Sequence, residues 1–195
     1  MKKLSLLGLV FASSLSFAQS VEQPTKPELL QIIDKSTNFI VKTSKGPVEI
    51  TRVMTPCAKN KGWLQPLVPM KGVTPVDEID VLNALNDKDS LVVDMRVVDD
   101  RVKGTIPGSI GMPYTEVAMR LDELGCKKPA AGSTMWDCSK AKKVYAFCNG
   151  PVCPQSPMAI AAMTRVGFPA NKIYYYRGGM LDWDALGFTT VKGEM

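Results

Sequence analysis

Histidine is missing from all 195 residues. Its absence excludes Cys-His and Ser-His catalysis and every metal site that needs imidazole. Long apolar runs are scarce as well. After the first twenty residues no stretch approaches the ~20 apolar residues of a membrane-spanning helix. There is no internal repeat and no low-complexity segment. Charge of one sign is not concentrated: the formal net charge is +5, and the basic residues are scattered. That excludes a nucleic-acid surface and is compatible with a small anionic ligand. The eleven methionines are spread along the chain at core spacing. They form no cluster of the kind that would select Cu(I). No cofactor or metal site is expected.

Lys2 and Lys3 precede an apolar run from Leu4 to Phe17, and Ala18 offers a small residue for cleavage. This is the pattern of a secretory signal peptide over residues 1–18, removed after Ala18. Losing Lys2 and Lys3 takes the formal charge from +5 to +3. The expectation is a periplasmic or secreted protein with no membrane segment after cleavage, and about 175 residues remain, enough for one domain with a sizeable core. An oxidising compartment permits disulfides, and five cysteines (57, 126, 138, 148 and 153) leave at least one thiol without an intrachain partner. Cys126 and Cys138 bracket a turn-rich segment and are the candidate structural disulfide. Cys57 is open between a buried free thiol and a partner for Cys148 or Cys153.

The apolar pattern reads as alternating helices and strands. Pro27–Lys35 is expected to be a short helix, with Pro27 in its first turn. Asn38–Thr43 and Val48–Val53 alternate around a Gly-Pro turn and predict a hairpin. Residues 54–72 are irregular, with Trp63 read as a packing residue. Thr74-Pro-Val-Asp predicts a helix start capped by Thr74, with Ile79, Leu82 and Leu85 on its buried face. Leu91–Arg96 reads as a central strand whose charged end enters a site. Residues 104–113 form a loop, and 115–124 a helix with Val117, Leu121 and Leu124 inward. Val144–Phe147 and Ile173–Tyr176 are strands, and Met180–Leu186 is a final helix. The class is α/β with a mostly parallel sheet, whose ligand site lies at the strand C-termini.

The chemistry concentrates in Val144-Tyr-Ala-Phe-Cys148-Asn-Gly-Pro-Val-Cys153-Pro-Gln-Ser156-Pro157. A strand runs into a cysteine, a short loop carries a second one, and an apolar helix follows with Ser156 suited to its N-cap and Pro157 to its first position. A helix N-terminus aimed back at Cys148 favours the thiolate. Cys148 is therefore the candidate nucleophile. Asp94 and Arg96 stand at the neighbouring strand end as orienting residues.

Four segments in order resemble the rhodanese-like domain family. They are Val93-Asp94-Met-Arg96, Gly104-Thr-Ile-Pro-Gly-Ser-Ile110, Tyr145-Ala-Phe-Cys148, and Tyr175-Tyr-Arg-Gly-Gly-Met-Leu-Asp-Trp183. The resemblance spans about residues 73–190. It implies a five-stranded parallel sheet flanked by helices over 73–195; residues 19–72 read, from their own pattern, as an N-terminal helix/hairpin extension packed on the domain. It also implies a nucleophilic cysteine that carries sulfane sulfur as a persulfide. The sulfur donor would be small and anionic, such as thiosulfate or polysulfide, and a thiol or a periplasmic redox partner would accept. The loop of Asn149, Gly150, Val152, Gln155 and Ser156 would cradle the anion. Thr105 stands where the family commonly has histidine.

The active loop departs from the family pattern, which places arginine five residues after the nucleophile and serine next. Here Cys153 and Pro154 occupy those positions. Aligning Ser156 with the family serine instead puts Gln155 in place of the arginine and lengthens the loop by two. Without that arginine, and with Pro151, Pro154 and Pro157 removing backbone donors, a phosphatase reading is disfavoured. Sulfur transfer remains first. Thiol–disulfide exchange through Cys148 and a second, resolving thiol at Cys153 stays open, as does a non-catalytic binding module.

Overall fold

The computed structural model describes residues 27–32, 35–54 and 62–194. The expected signal peptide and Cys57 lie outside them.

Among the described residues eight strands and four α-helices follow one another. β1 (Leu29–Leu30), β2 (Asn38–Thr43) and β3 (Gly46–Val53) form a small antiparallel sheet in the order β1-β3-β2. β4 (Thr74–Pro75), α1 (Glu78–Leu85), β5 (Ser90–Asp94), α2 (Val98–Lys103) and β6 (Ile110–Gly111) come next, then β7 (Lys143–Phe147), α3 (Gln155–Arg165), β8 (Ile173–Tyr176) and α4 (Gly179–Ala185). The second sheet is wholly parallel, in the order β4-β8-β7-β5-β6.

Alternation along the parallel strands separates two cores. Val93, Val144, Ala146, Ile173 and Tyr175 face Ala159, Ile160 and Met163 of α3, together with Val117, Leu121 and Leu124. Val92, Phe147 and Tyr176 face Val81 and Ala84 of α1 and Met180 and Trp183 of α4. The sheet is thus the middle of three layers, and the ends of β5 and β7 meet between them. Cys126 and Cys138 are disulfide-bonded beneath the first core, as expected from the sequence. Closing that loop contributes ~3 kcal/mol in the chain-entropy account.

Several expectations are corrected. Leu29 and Leu30 are strand, paired with Val53 and Arg52, because β3 offers a ladder edge that a short isolated helix cannot match. Thr74 and Pro75 pair with Tyr174 and Tyr175, so α1 starts three residues later than its Thr-Pro signal. Its cap is Asp77, whose Oδ1 accepts from the Ile79 and Asp80 N–H groups at 2.9 and 3.1 Å, while Asp80 Oδ2 accepts from the Asp77 N–H. Such a cap is worth ~1 kcal/mol. The shift rotates the helix: Val81 and Ala84 are buried, whereas Ile79 and Leu82 are exposed. Trp63 is exposed rather than packed. Residues 115–124 form two 3-10 turns, Val117–Met119 and Leu121–Leu124, although Val117, Leu121 and Leu124 are buried as expected. Among the described residues no helix is long and apolar enough to cross a membrane.

Candidate active site

β5 and β7 run side by side with Asp94 opposite Phe147, so the segments leaving the two strands meet at one end of the sheet. Asp94 and Arg96 come from β5 and its extension. Both are buried, and the Arg96 guanidinium holds the carboxylate through Nε at 2.9 Å and Nη2 at 2.7 Å. Thr105 Oγ1 donates to Asp94 Oδ2 at 2.7 Å, and Arg101 Nη1 lies 3.5 Å from the same oxygen. Arg101 also donates to Thr105 Oγ1 and Ser109 Oγ, both at 3.1 Å. Arg96 then reaches across to Asn149 Oδ1 at 3.3 Å, and Asn149 Nδ2 donates to Asp100 Oδ2 at 2.9 Å. The β5 cluster therefore clamps the first residue after the nucleophile.

Cys148 follows β7 directly and is 1 % exposed. Its carbonyl accepts from the Met180 N–H at 3.0 Å and the Asn149 carbonyl from the Leu181 N–H at 2.9 Å, so the start of α4 holds the loop from below. Gly179 makes that approach possible. Its φ is +56°, and a Cβ there would collide with the Cys148 carbonyl oxygen. The loop turns through a Cys153 N–H to Gly150 carbonyl bond of 2.9 Å, which returns Cys153 to Cys148. While protonated, the Cys148 thiol donates to the Cys153 carbonyl oxygen at 3.4 Å.

Burial pushes the Cys148 thiol up, but the donors around it outweigh that. The Cys153 thiol, the Ser156 hydroxyl and N–H, and the Gly150 N–H bring it down from 9.0 to about 7. Cys153 moves the opposite way, far above the ordinary thiol range. It shares its proton with Cys148, is buried, and faces the charge its neighbour carries. The two thiols are thus driven apart, with Cys148 giving up its proton more readily than Cys153.

Ser156 is not the N-cap. α3 begins at Gln155 behind Pro154, which has no capping side chain, and Ser156 lies inside the first turn with Pro157 after it. The sequence signal failed because Pro154 starts the turn earlier than Pro157 does. Ser156 Oγ is fully buried and makes no hydrogen bond of ordinary geometry, and neither do Gln155 Oε1 or Tyr175 Oη. Val152 is buried. Of the expected cradle, the Gly150 N–H and Ser156 N–H approach the Cys148 sulfur, while the Gln155 and Asn149 N–H groups approach that of Cys153. Asn149 lines a cavity of about 330 Å³ with Arg96, Lys103, Asp184 and Thr190.

The sequence reading missed Arg101, Asp100 and Gly179. The acidic-basic run Asp99-Asp-Arg101 beside a charged strand end is the signal that could have found the first two. It also missed Gln65, whose N–H donates to the Pro151 carbonyl at 2.8 Å and whose carbonyl accepts from Arg177 Nη1 at 3.1 Å. Among the described residues no cluster of three or more carboxylates and cysteines could hold a metal ion.

The profile of the rhodanese-like domain matches residues 78–186, more than half of the chain. The chain belongs to the rhodanese-like domain family. An HTH-type transcriptional regulator of Mycobacterium tuberculosis is 28% identical over 102 residues, which cover 52% of this chain and 38% of the regulator's length. Among solved structures, a rhodanese-related protein from Thermoplasma volcanium is 21% identical, with a TM-score of 0.43 over 60% of this chain and 95% of its own. A thiosulfate sulfurtransferase from Pseudomonas aeruginosa is 20% identical, with a TM-score of 0.39 over 60% of this rhodanese-like chain and 19% of its own.

Proposed function

We propose that this rhodanese-like protein is an exported sulfurtransferase. Cys148 thiolate attacks the outer sulfur of thiosulfate or polysulfide. With thiosulfate the sulfur–sulfur bond breaks with its electron pair on sulfite, and Cys148 is left as a persulfide. A thiol acceptor then takes the sulfur. The observation that carries this reading is the buried Cys148 at the end of β7, beside the Cys153 thiol and the Ser156 and Gly150 N–H groups, which lower its pKa to about 7. A nucleophile that is half ionised at neutral pH needs no general base, which fits a chain without histidine. The cavity beside Asn149 is lined by two cations, Arg96 and Lys103, and two carboxylates, Asp100 and Asp184, so its charge is balanced. Export is supported by the Cys126–Cys138 disulfide, since such bonds persist in oxidising compartments.

The test is sulfite release from thiosulfate by the reduced protein. We expect a burst of one sulfite per chain, abolished in Cys148→Ser. Equal release from the variant, or none from the parent, overturns the reading. The proton shared by Cys148 and Cys153 favours a second reading, thiol–disulfide exchange by the same pair. That reaction would oxidise the two thiols without releasing sulfite.

A further inference from the structure

Two thiols at one buried site raise the question of where the sulfur goes. Cys148 and Cys153 are 1 % and 3 % exposed. The loop over them is fastened on three sides: to α4 through Met180 and Leu181, to Gln65 through Pro151, and to Arg96 and Asp100 through Asn149. An external thiol must displace part of this frame to reach a persulfide on Cys148. Cys153 already stands beside it: the Gly150–Cys153 turn brings the Cys153 carbonyl oxygen within 3.4 Å of the Cys148 sulfur, and the two thiols are within hydrogen-bonding reach of each other. A group held in place reacts at an effective concentration far above that of a free thiol.

A second observation points to the same place. Among the described residues, only four buried side-chain nitrogen or oxygen atoms lack a hydrogen-bond partner, and three of them belong to Gln155, Ser156 and Tyr175. Ser156 donates toward the Cys148 sulfur, the Gln155 N–H faces Cys153, and the Tyr175 hydroxyl is close enough to sense both thiols. Of these, the Ser156 and Tyr175 hydroxyls can donate to a sulfur anion on the thiol pair, whereas Gln155 Oε1 can only accept.

We propose that Cys153 resolves the Cys148 persulfide, making the protein a reductase that releases sulfide from sulfane sulfur. The proposal rests on the sulfurtransferase reading for its first step. In the second, Cys153 Sγ attacks Cys148 Sγ, and the bond between Cys148 Sγ and the outer sulfur breaks. The electron pair goes to the outer sulfur, which takes the proton of Cys153 and leaves as hydrosulfide. The product is a Cys148–Cys153 disulfide, reduced back by a dithiol. Over one cycle, thiosulfate and a dithiol give sulfite, hydrogen sulfide and a disulfide.

The experiment uses the full mature chain in a Cys57→Ser background, reduced, freed of reductant and mixed with one equivalent of thiosulfate. Sulfite and sulfide are counted, and the intact mass is taken. We expect one sulfite and one sulfide per chain, a mass lower by two hydrogens, and a Cys148–Cys153 peptide under non-reducing digestion. Cys153→Ser should release sulfite but no sulfide, and gain one sulfur. A parent that releases sulfite, keeps the added sulfur and yields no sulfide overturns the proposal while leaving sulfur transfer intact. No sulfite from either protein overturns sulfur transfer itself. The sulfide count on the parent decides the matter even if the variant does not fold.

Discussion

The ionisation of Cys148 can be tested apart from any turnover, by removing the Cys153 thiol, the foremost of its donors. Moving a thiol from 9.0 to about 7 corresponds to roughly 3 kcal/mol in favour of the thiolate. Burial opposes that shift, so the donors together supply more. A hydrogen bond to a charged group contributes ~1.5–3 kcal/mol. Cys153→Ala in a Cys57→Ser background should therefore raise the Cys148 midpoint by about one to two pH units. Thiolate ultraviolet absorbance reads the midpoint without requiring a reagent to enter a closed site. The parent should be about half ionised at pH 7, where an ordinary thiol is a few per cent ionised. Stability follows with opposite signs for the two residues. Cys148, lowered by folding, contributes stability that builds as pH rises from about 7 toward 9.0 and is lost as pH falls back through 7. Cys153, raised by folding, has its contribution in full below the ordinary thiol value and loses it above. The parent should show a stability maximum near that value, and the alanine variant should flatten it. A parent midpoint in the ordinary thiol range, or an unchanged midpoint in Cys153→Ala, would refute the reasoning.

Two further outcomes bear on the frame of the loop. Gly179→Ala places a methyl group against the Cys148 carbonyl oxygen at a φ of +56°. It should cost at least the ~1–2 kcal/mol of a left-handed non-glycine residue, read by thermal unfolding, and should reduce sulfite release more than tenfold. Arg96→Met removes one partner of a buried ion pair and leaves Asp94 with Arg101 and Thr105. The expected loss is about 3 kcal/mol in urea unfolding, and a change below 1 kcal/mol would contradict the pairing.

The parallel sheet, the disulfide and the strand-Cys148-loop-helix unit were legible in the sequence because each rests on a local pattern that tertiary structure reinforces. Leu91–Asp94 and Val144–Phe147 are apolar on both faces, as a buried parallel strand must be. The misplacements share a cause. Thr74-Pro75 and Pro154-Gln-Ser-Pro157 each carry two competing start signals, and position in the sheet chooses between them. Pairing with β8 makes Thr74 a strand residue and leaves the cap to Asp77. Likewise Leu29 and Leu30 have helical spacing, yet β3 supplies their partner from more than twenty residues away. Asp94 and Arg96 were readable as a strand-end pair, but Arg101, Asp100 and Gly179 were not. They join the site only through the return of α2 and α4, which no short window contains.

Gln65 ties residues that precede the family domain to the loop that holds both thiols. Pro151 gives the loop no N–H at that point, so its carbonyl is what faces outward, and the Gln65 N–H meets it. Gln65 itself is anchored by Arg177, which follows β8. The loop and the extension thus form one mechanical joint.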